Sequence, residues 1–223
     1  LKTSYFIKHL GGTLFFFIIM FACAGKLNYW PGLIYVIIGL IMSTISYTIL
    51  KPDRELMDER STPGEGAKKW DKGLLGLSFL STVAMYAVAG FDSGRFHLSP
   101  EFHWSIYLVG SILIISGQLL FLVAQKQNKF FSSTVRIQNE RGHAVCETGL
   151  YKIVRHPAYL GMIVQSIGFP LLLGSLWSLI PVCLSIVFTI IRTYKEDDTL
   201  KKELEGYPEY SNKTRYRIIP YVW

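Results

Sequence analysis

Between residues 158 and 191 this 223-residue chain has no Asp, Glu, Lys or Arg, and the stretches 10–25, 30–50, 73–91 and 102–125 lack them as well. Charged residues make up only 17% of the chain, against about 25% in soluble domains. With half of the residues hydrophobic, that shortage excludes an ordinary water-covered fold and points to several membrane spans joined by polar loops. Cysteine is scarce as well. Cys23 and Cys183 lie in apolar runs, where a free thiol acts as a small hydrophobe, and Cys146 stands alone in a loop. Neither a disulfide framework nor a zinc site follows, and no metal is expected. No small-residue cleavage site follows the first apolar run, since Lys26, Asn28, Tyr29 and Trp30 lead into the next, so a retained helix is expected rather than a signal peptide. Internal repeats and low-complexity tracts are absent too.

What is present is a series of spans. A hydrocarbon core of about 30 Å asks for about 20 apolar residues per helix. Candidates are 10–25, extendable back towards Tyr5, then 30–50 with Pro31 in its first turn, 73–91 and 102–125. The fourth has only His103 and Gln118 as strongly polar members. As one helix, 158–191 would be about 50 Å long at 1.5 Å per residue, so it must fold back. The reversal is expected at 174–178, between Pro170 and Pro181. Residues 51–72, with Pro52, Pro63, Gly64 and Gly66, read as a loop with one helical turn around 55–60. The expected fold is therefore all-α and polytopic, with six transmembrane helices in a single membrane domain. Residues 1–125 supply four helices, and 126–223 supply a helical hairpin and an amphipathic tail.

Basic charge orients these spans. With the N-terminus inside, Lys2 and Lys8, six basic residues of 51–72, six of 126–155 and seven from Arg192 onward are cytoplasmic; only Lys26 and Arg95 are outside. The expected protein is multi-pass, with both termini cytoplasmic. The net charge of +7 is thereby explained by topology and by attraction to anionic membrane lipid, without nucleic acid. Few mid-span charges argue against an ion pathway and so against a transporter.

Chemistry is expected where polar and aromatic groups meet the membrane edge, in 138–161 and 192–220. Arg155-His156-Pro157 opens the fifth helix, with proline in a first-turn position and uncommitted N–H groups able to receive an anion. The alternative for this tripeptide is an interfacial anchor, and for Tyr151 and Tyr159 a place in the aromatic belt. Arg192 and Glu196 are spaced i, i+4 and read either as a helix-end ion pair or as site residues. Asp197 with Lys201 and Asp198 with Lys202 read as a solvated face, and Leu200 and Leu204 as the apolar stripe of an amphipathic extension ending at Gly206.

The ordered series Gln138-Asn139-Glu140, His143, Gly149-Leu150-Tyr151, Arg155-His156-Pro157-Ala158-Tyr159-Leu160-Gly161, Arg192, Glu196-Asp197, Leu200 and Gly206-Tyr207-Pro208-Glu209-Tyr210 with Pro220 resembles the isoprenylcysteine carboxyl methyltransferases and the related phospholipid methyltransferases. The likeness covers about residues 130–223 and implies a bacterial or archaeal-type member, with Asp197 where a second glutamate is usual and a shortened Gln138 to His143 spacing. It implies S-adenosylmethionine as cofactor, held by Gln138, His143, Ala144, Val145, Cys146, Tyr151, His156, Pro157, Ala158, Tyr159 and Glu196. Arg192 would meet the acceptor's carboxylate, and Arg192 and Glu196 together would form the catalytic pair. The implied partner is a lipophilic methyl acceptor, most simply an isoprenylcysteine, with phospholipid or small thiol and amine acceptors as alternatives, and a monomer or weak oligomer as the assembly. A membrane reductase of the steroid-reductase type shares an Arg-His-Pro-x-Tyr-like element and uses NADPH, but Ala158 and Gly161-Met162 depart from it.

Overall fold

The charge-free stretches become helices because a backbone in hydrocarbon has to satisfy its own N–H and C=O groups. The computed structural model describes residues 2–50 and 66–223, and side chains from residue 11 onward. Among the described residues all regular structure is helical. The elements are α1 (Lys2–Ala24), α2 (Trp30–Leu50), α3 (Lys69–Ala89), a π-helical turn (Gly90–Phe96), α4 (Trp104–Gln127), α5 (Pro157–Leu173), α6 (Leu179–Glu203) and α7 (Tyr207–Lys213), with short 3₁₀ turns at Asn139–Arg141 and Gly149–Lys152. The helical turn expected around 55–60 lies outside the described residues.

Among the described residues, three helical stretches are long and apolar enough to cross a membrane: Trp30–Leu50, Lys69–Phe96 and Trp104–Gln127. Gly11–Ala24 and Pro157–Leu173 are shorter apolar helices. The expected third span ended at 91, but the chain stays helical through the π turn to Phe96. There Gly90 and Gly94 lie against α1: a Cβ on Gly90 would come within 2.4 Å of Met20 O, and one on Gly94 within 2.5 Å of Ala24 Cβ.

The long apolar run breaks where its length requires. Gly174 adopts φ +64, which glycine reaches without a Cβ clash, and closes α5 before α6 starts at Leu179. Buried Asp92 fixes the reversal from outside, with its Oδ2 accepting from Ser175 Oγ at 2.6 Å and from Ser99 Oγ at 2.7 Å.

α4 and α5 run against each other through paired glycines. A Cβ on Gly117 would meet Gly161 O and Gln165 N at 2.6 Å, and one on Gly168 would meet Gly110 O at 2.7 Å. Without side chains at these four positions the two backbones touch, the means by which helices associate where no hydrophobic force separates protein from lipid. This contact brings the start of α5 beside the end of α4, where the polar loop begins.

The core beside this pair is aromatic. Phe16 stacks on Tyr86 at 5.0 Å, Phe169 meets Tyr86 edge-on at 5.0 Å, and Tyr35 donates to or accepts from Tyr86 at 2.7 Å. These rings, from α1, α2, α3 and α5, form the floor of the cavity described next.

Candidate active site

A cavity of about 900 Å³ opens between the helices under the loop that joins α4 to α5. That is near the upper end of ordinary ligand pockets, about 300 to 1,000 Å³. Its floor is Phe16, Phe17, Tyr35, Tyr86 and Phe169; its head is Arg192, Glu196, Tyr159, His156 and the loop residues His143, Ala144, Val145 and Cys146. Tyr151 and Ala158 complete that wall. The structure thus gathers nearly all of the residues singled out from sequence around one space.

Gln138 and Pro157 do not line it. Gln138 is fully buried behind the wall, where its Nε2 donates to Phe130 O at 2.7 Å and its Oε1 accepts from Arg141 at 2.5 Å. Its backbone N–H donates to His143 Nδ1 at 3.2 Å. Gln138 therefore shapes the turn that presents His143, and Pro157 starts α5 from the far side of the wall.

His143 rests on the Phe130 ring, with centroids 4.6 Å apart. Burial pushes its pKa down to about 4, and the nearby Arg136 and Arg141 charges push the same way. Between the unfolded value near 6.5 and about 4, the unfolded chain holds a proton that the folded chain refuses, so stability falls as pH drops through that window. The expected result is a melting temperature that falls less between pH 6.5 and 4.5 in His143→Asn than in the parent; parallel curves would remove His143 from the account.

The segment 143–147 has no regular secondary structure, and the backbone N–H groups of Ala144, Val145 and Cys146 form no hydrogen bond among the described residues. Val145 packs on Leu204, Tyr207 and Tyr210, and Cys146 on Tyr151 and Ala158. The strip is held by its side chains, leaving its backbone polar groups for a ligand.

The helix start was expected to offer N–H groups to an anion. The C-terminal tail takes the two groups just before α5, Arg155 N–H donating to Tyr216 O at 2.9 Å and His156 N–H to Arg217 O at 2.8 Å, and Tyr159 N–H turns back onto His156 O at 3.1 Å, whereas Ala158 N–H has no partner among the described residues. The solvated face assigned to Asp197 is replaced by burial. Asp197, 1% exposed, accepts a forked pair from Arg155 at 2.7 and 3.0 Å, a bond from Arg217 at 3.0 Å and one from Tyr207 OH at 2.9 Å. His156 Nε2 and Lys201 are looser neighbours, each at 3.4 Å. Burial works to raise the Asp197 pKa, but hydrogen bonds from His156 and Arg155 overcome it and hold the carboxyl well below the usual range. The knot pins the tail over the cavity, with Tyr207 and Tyr210 lining the wall. Asp198 with Lys202, at 2.7 Å, remains on the surface as expected.

Neither are Arg192 and Glu196 a helix-end pair. Glu196 Oε2 accepts a short hydrogen bond from Tyr159 OH. Arg192 instead forks onto Asp71 of α3, with Nε to Oδ1 at 2.7 Å and Nη2 to Oδ2 at 3.2 Å, and Nη2 also donates to Ser133 O at 2.9 Å. Its guanidinium lies 5.6 Å from the Tyr159 ring centre, and Nη1 keeps no hydrogen bond among the described residues. Fully buried Asp71 also accepts from Val135 N–H at 2.7 Å, so one carboxylate ties α3, the loop and α6 together. Sequence reading missed Asp71. The available signal was an acid inside a basic cluster at a helix start, which names no partner.

Fold and site together define a helical membrane protein with a cavity that joins an aromatic floor among the helices to a charged, loop-covered head. Residues 108–202 match the isoprenylcysteine carboxyl methyltransferase (ICMT) family. The chain is 25% identical over 130 residues to a probable protein-S-isoprenylcysteine O-methyltransferase of Oryza sativa subsp. indica, a match covering 56% of this chain and 68% of that protein. To the protein-S-isoprenylcysteine O-methyltransferase of Saccharomyces cerevisiae it is 32% identical over 122 residues, 52% of this chain and 49% of the other. It is also similar to the Delta(14)-sterol reductase TM7SF2 of Mus musculus, 28% identical over 125 residues, 50% of this chain and 30% of that one. The match thus spans about half the length of the yeast protein and under a third of the mouse protein. These likenesses support a membrane methyltransferase related to the ICMT family.

Proposed function

We propose that the protein moves a methyl group from S-adenosylmethionine to the carboxylate of an isoprenylcysteine-like lipophile, at the cytoplasmic edge of a membrane that its helices cross several times with both termini inside. The observation that carries this reading is the continuity of the cavity from Arg192, Glu196 and the 143–146 strip down to the aromatic floor. A water-soluble donor and a greasy acceptor can meet in such a space.

The residues present fit the donor. The unpaired N–H groups of 144–146 suit a nucleoside or amino-acid moiety, and the Glu196 carboxylate suits a cationic centre beside Tyr159. His143, Ala144, Val145, Cys146, Tyr151, His156, Ala158, Tyr159 and Glu196 would hold it, with Gln138 and Pro157 supporting the wall. Bound there, S-adenosylmethionine supplies an electrophilic methyl for in-line displacement. The chain then has to align and to exclude water, and the tail fixed by Asp197 serves the second task. An ionised carboxylate needs no general base. Arg192, turned by Asp71, offers it the single Nη1, which orients it without the two-point grip that would blunt its attack. For an amine acceptor, Glu196 would be the proton acceptor.

Similarity to the mouse sterol reductase keeps one second reading in view, a reductase using NADPH. Purified protein separates the two: S-adenosylhomocysteine should raise the melting temperature and NADPH should not, and labelled methyl should reach a prenylcysteine analogue. Stabilisation by NADPH alone, with no methyl transferred, would replace the proposal by the reductase.

A further inference from the structure

Three glutamines line the cavity where apolar side chains would be expected: Gln118 and Gln125 on α4, and Gln165 on α5. Gln118 and Gln125 are seven positions apart and so share a helix face. Gln118 and Gln165 are neighbours across the glycine contact, since a Cβ on Gly117 would lie 2.9 Å from Gln165 Cβ. Several polar groups of this bundle are satisfied within it. Tyr35 and Tyr86 pair with each other, and Thr82, Ser166 and Thr189 bond back to their own helices. The amides of Gln118, Gln125 and Gln165 make no hydrogen bond among the described residues, and Gln118 Oε1 is shut off from solvent without a partner.

An unpaired amide in a helix surrounded by hydrocarbon is costly, and a hydrocarbon ligand packed against it would leave it unpaired in the bound state too. These amides gain only from a ligand that carries hydrogen-bonding groups of its own. Their depth says where. Gln165 lies six positions beyond Tyr159 on α5, about 9 Å at 1.5 Å per residue, whereas Phe169 lies ten beyond, about 15 Å. The cavity is thus charged at its head, amide-lined part of the way down and aromatic at its floor.

Resting on the methyltransferase reading, we infer that the acceptor is a lipophile with a second polar group, a hydroxyl or amide, about 9 Å from the carboxylate that is methylated, and that Gln118 and Gln165 recognise it. A plain prenyl chain would fill the same space with its hydrocarbon against both amides. A site built to hydrogen-bond a substrate group discriminates strongly against the analogue lacking it, because its own polar atoms are then stranded.

The test uses the full-length protein in lipid nanodiscs with labelled S-adenosylmethionine and two synthetic thioether carboxylates of equal chain length. One has a plain hydrocarbon tail; the other carries a hydroxyl about 9 Å from the carboxylate. The hydroxylated acceptor is expected to be preferred by at least about tenfold in kcat/KM. In the Gln118→Leu, Gln165→Leu double variant that ratio should fall to near one, with stabilisation by S-adenosylhomocysteine showing that the variant is folded. Should the double variant not fold, Gln118→Asn, which shortens the amide, should still lower the ratio. Equal transfer to both acceptors by the parent protein, or preference for the plain tail, overturns this inference and leaves the methyltransferase reading intact. Transfer to neither overturns the carboxylate reading and this inference with it.

Discussion

Replacing Glu196 by alanine is expected to lower kcat/KM for the methyl donor by on the order of 100-fold, the largest loss of any single change at the head of the cavity. The carboxylate stands where α6 leaves the apolar region, facing the same space as Tyr159, His156 and the 143–146 strip. Its Oε2 is held by Tyr159 OH, so it is aimed before any ligand arrives. A fixed anion beside a cationic donor both holds and orients it, and alanine removes the charge and the geometry together. Tyr159→Phe removes only the aim, so a loss of about tenfold is expected there. Labelled methyl transfer at limiting donor concentration measures both. If Glu196→Ala kept more than a third of the parent kcat/KM, the head of the cavity would have been assigned to the wrong chemistry.

The elements legible in sequence are those set by local or one-dimensional rules. The length of the run 158–191 forced a reversal at 174–178, and Gly174 and Leu179 bracket it in the structure. The motif residues from His143 to Glu196 line one cavity because loop, hairpin and tail return to the same end of the bundle. Spacing failed where side chains chose distant partners. Asp197 and Lys201 satisfy the i, i+4 rule, yet Asp197 is taken by Arg155, 42 positions away, and by Arg217 of the tail. A carboxylate with two guanidiniums and a phenol within reach prefers burial among them to one exposed lysine. Nothing in the interval between Arg155 and Asp197 reveals this. Gln138 was placed in the site by resemblance, whereas its amide works one layer back, on Phe130 O and Arg141.

The glycine contacts were hidden for a different reason. Gly110 and Gly117, like Gly161 and Gly168, repeat at seven positions, a faint signal among 19 glycines. Only the paired backbones show that these four set the distance between α4 and α5. That distance brings Gln165 against Gly117, the residue before Gln118. The packing that makes a membrane bundle also spaces the polar stations of its cavity.

Asp71→Asn is expected to cost about 3 to 5 kcal/mol of stability and most of the activity, although residue 71 lies outside the stretch 108–202 that matches the family. Asp71 is fully buried and its partner Arg192 is nearly so, with side-chain exposures of 0% and 13%. Removing one charge of such a pair strands the other, which is worse than losing the pair. Asparagine could still accept from Val135 N–H, so the tie to the loop survives and the loss falls on Arg192. Released from its fork, that guanidinium has Glu196 one helical turn away as the nearest remaining anion on its own helix, and a move there would neutralise the carboxylate proposed to serve the donor. Arg192→Lys separates charge from geometry. It keeps the positive charge but cannot reproduce the simultaneous bonds to both Asp71 oxygens and to Ser133 O. Both variants should therefore show a clear fall in melting temperature in detergent, and Asp71→Asn should also weaken S-adenosylhomocysteine binding although Asp71 does not touch the cavity. A Glu196→Gln change made in the Asp71→Asn background should then add little to the loss of donor binding, because Arg192 has already claimed the carboxylate. Full additivity of the two changes would show that Asp71 acts only by holding α3 to the loop, and that the first helices support the active site without tuning it.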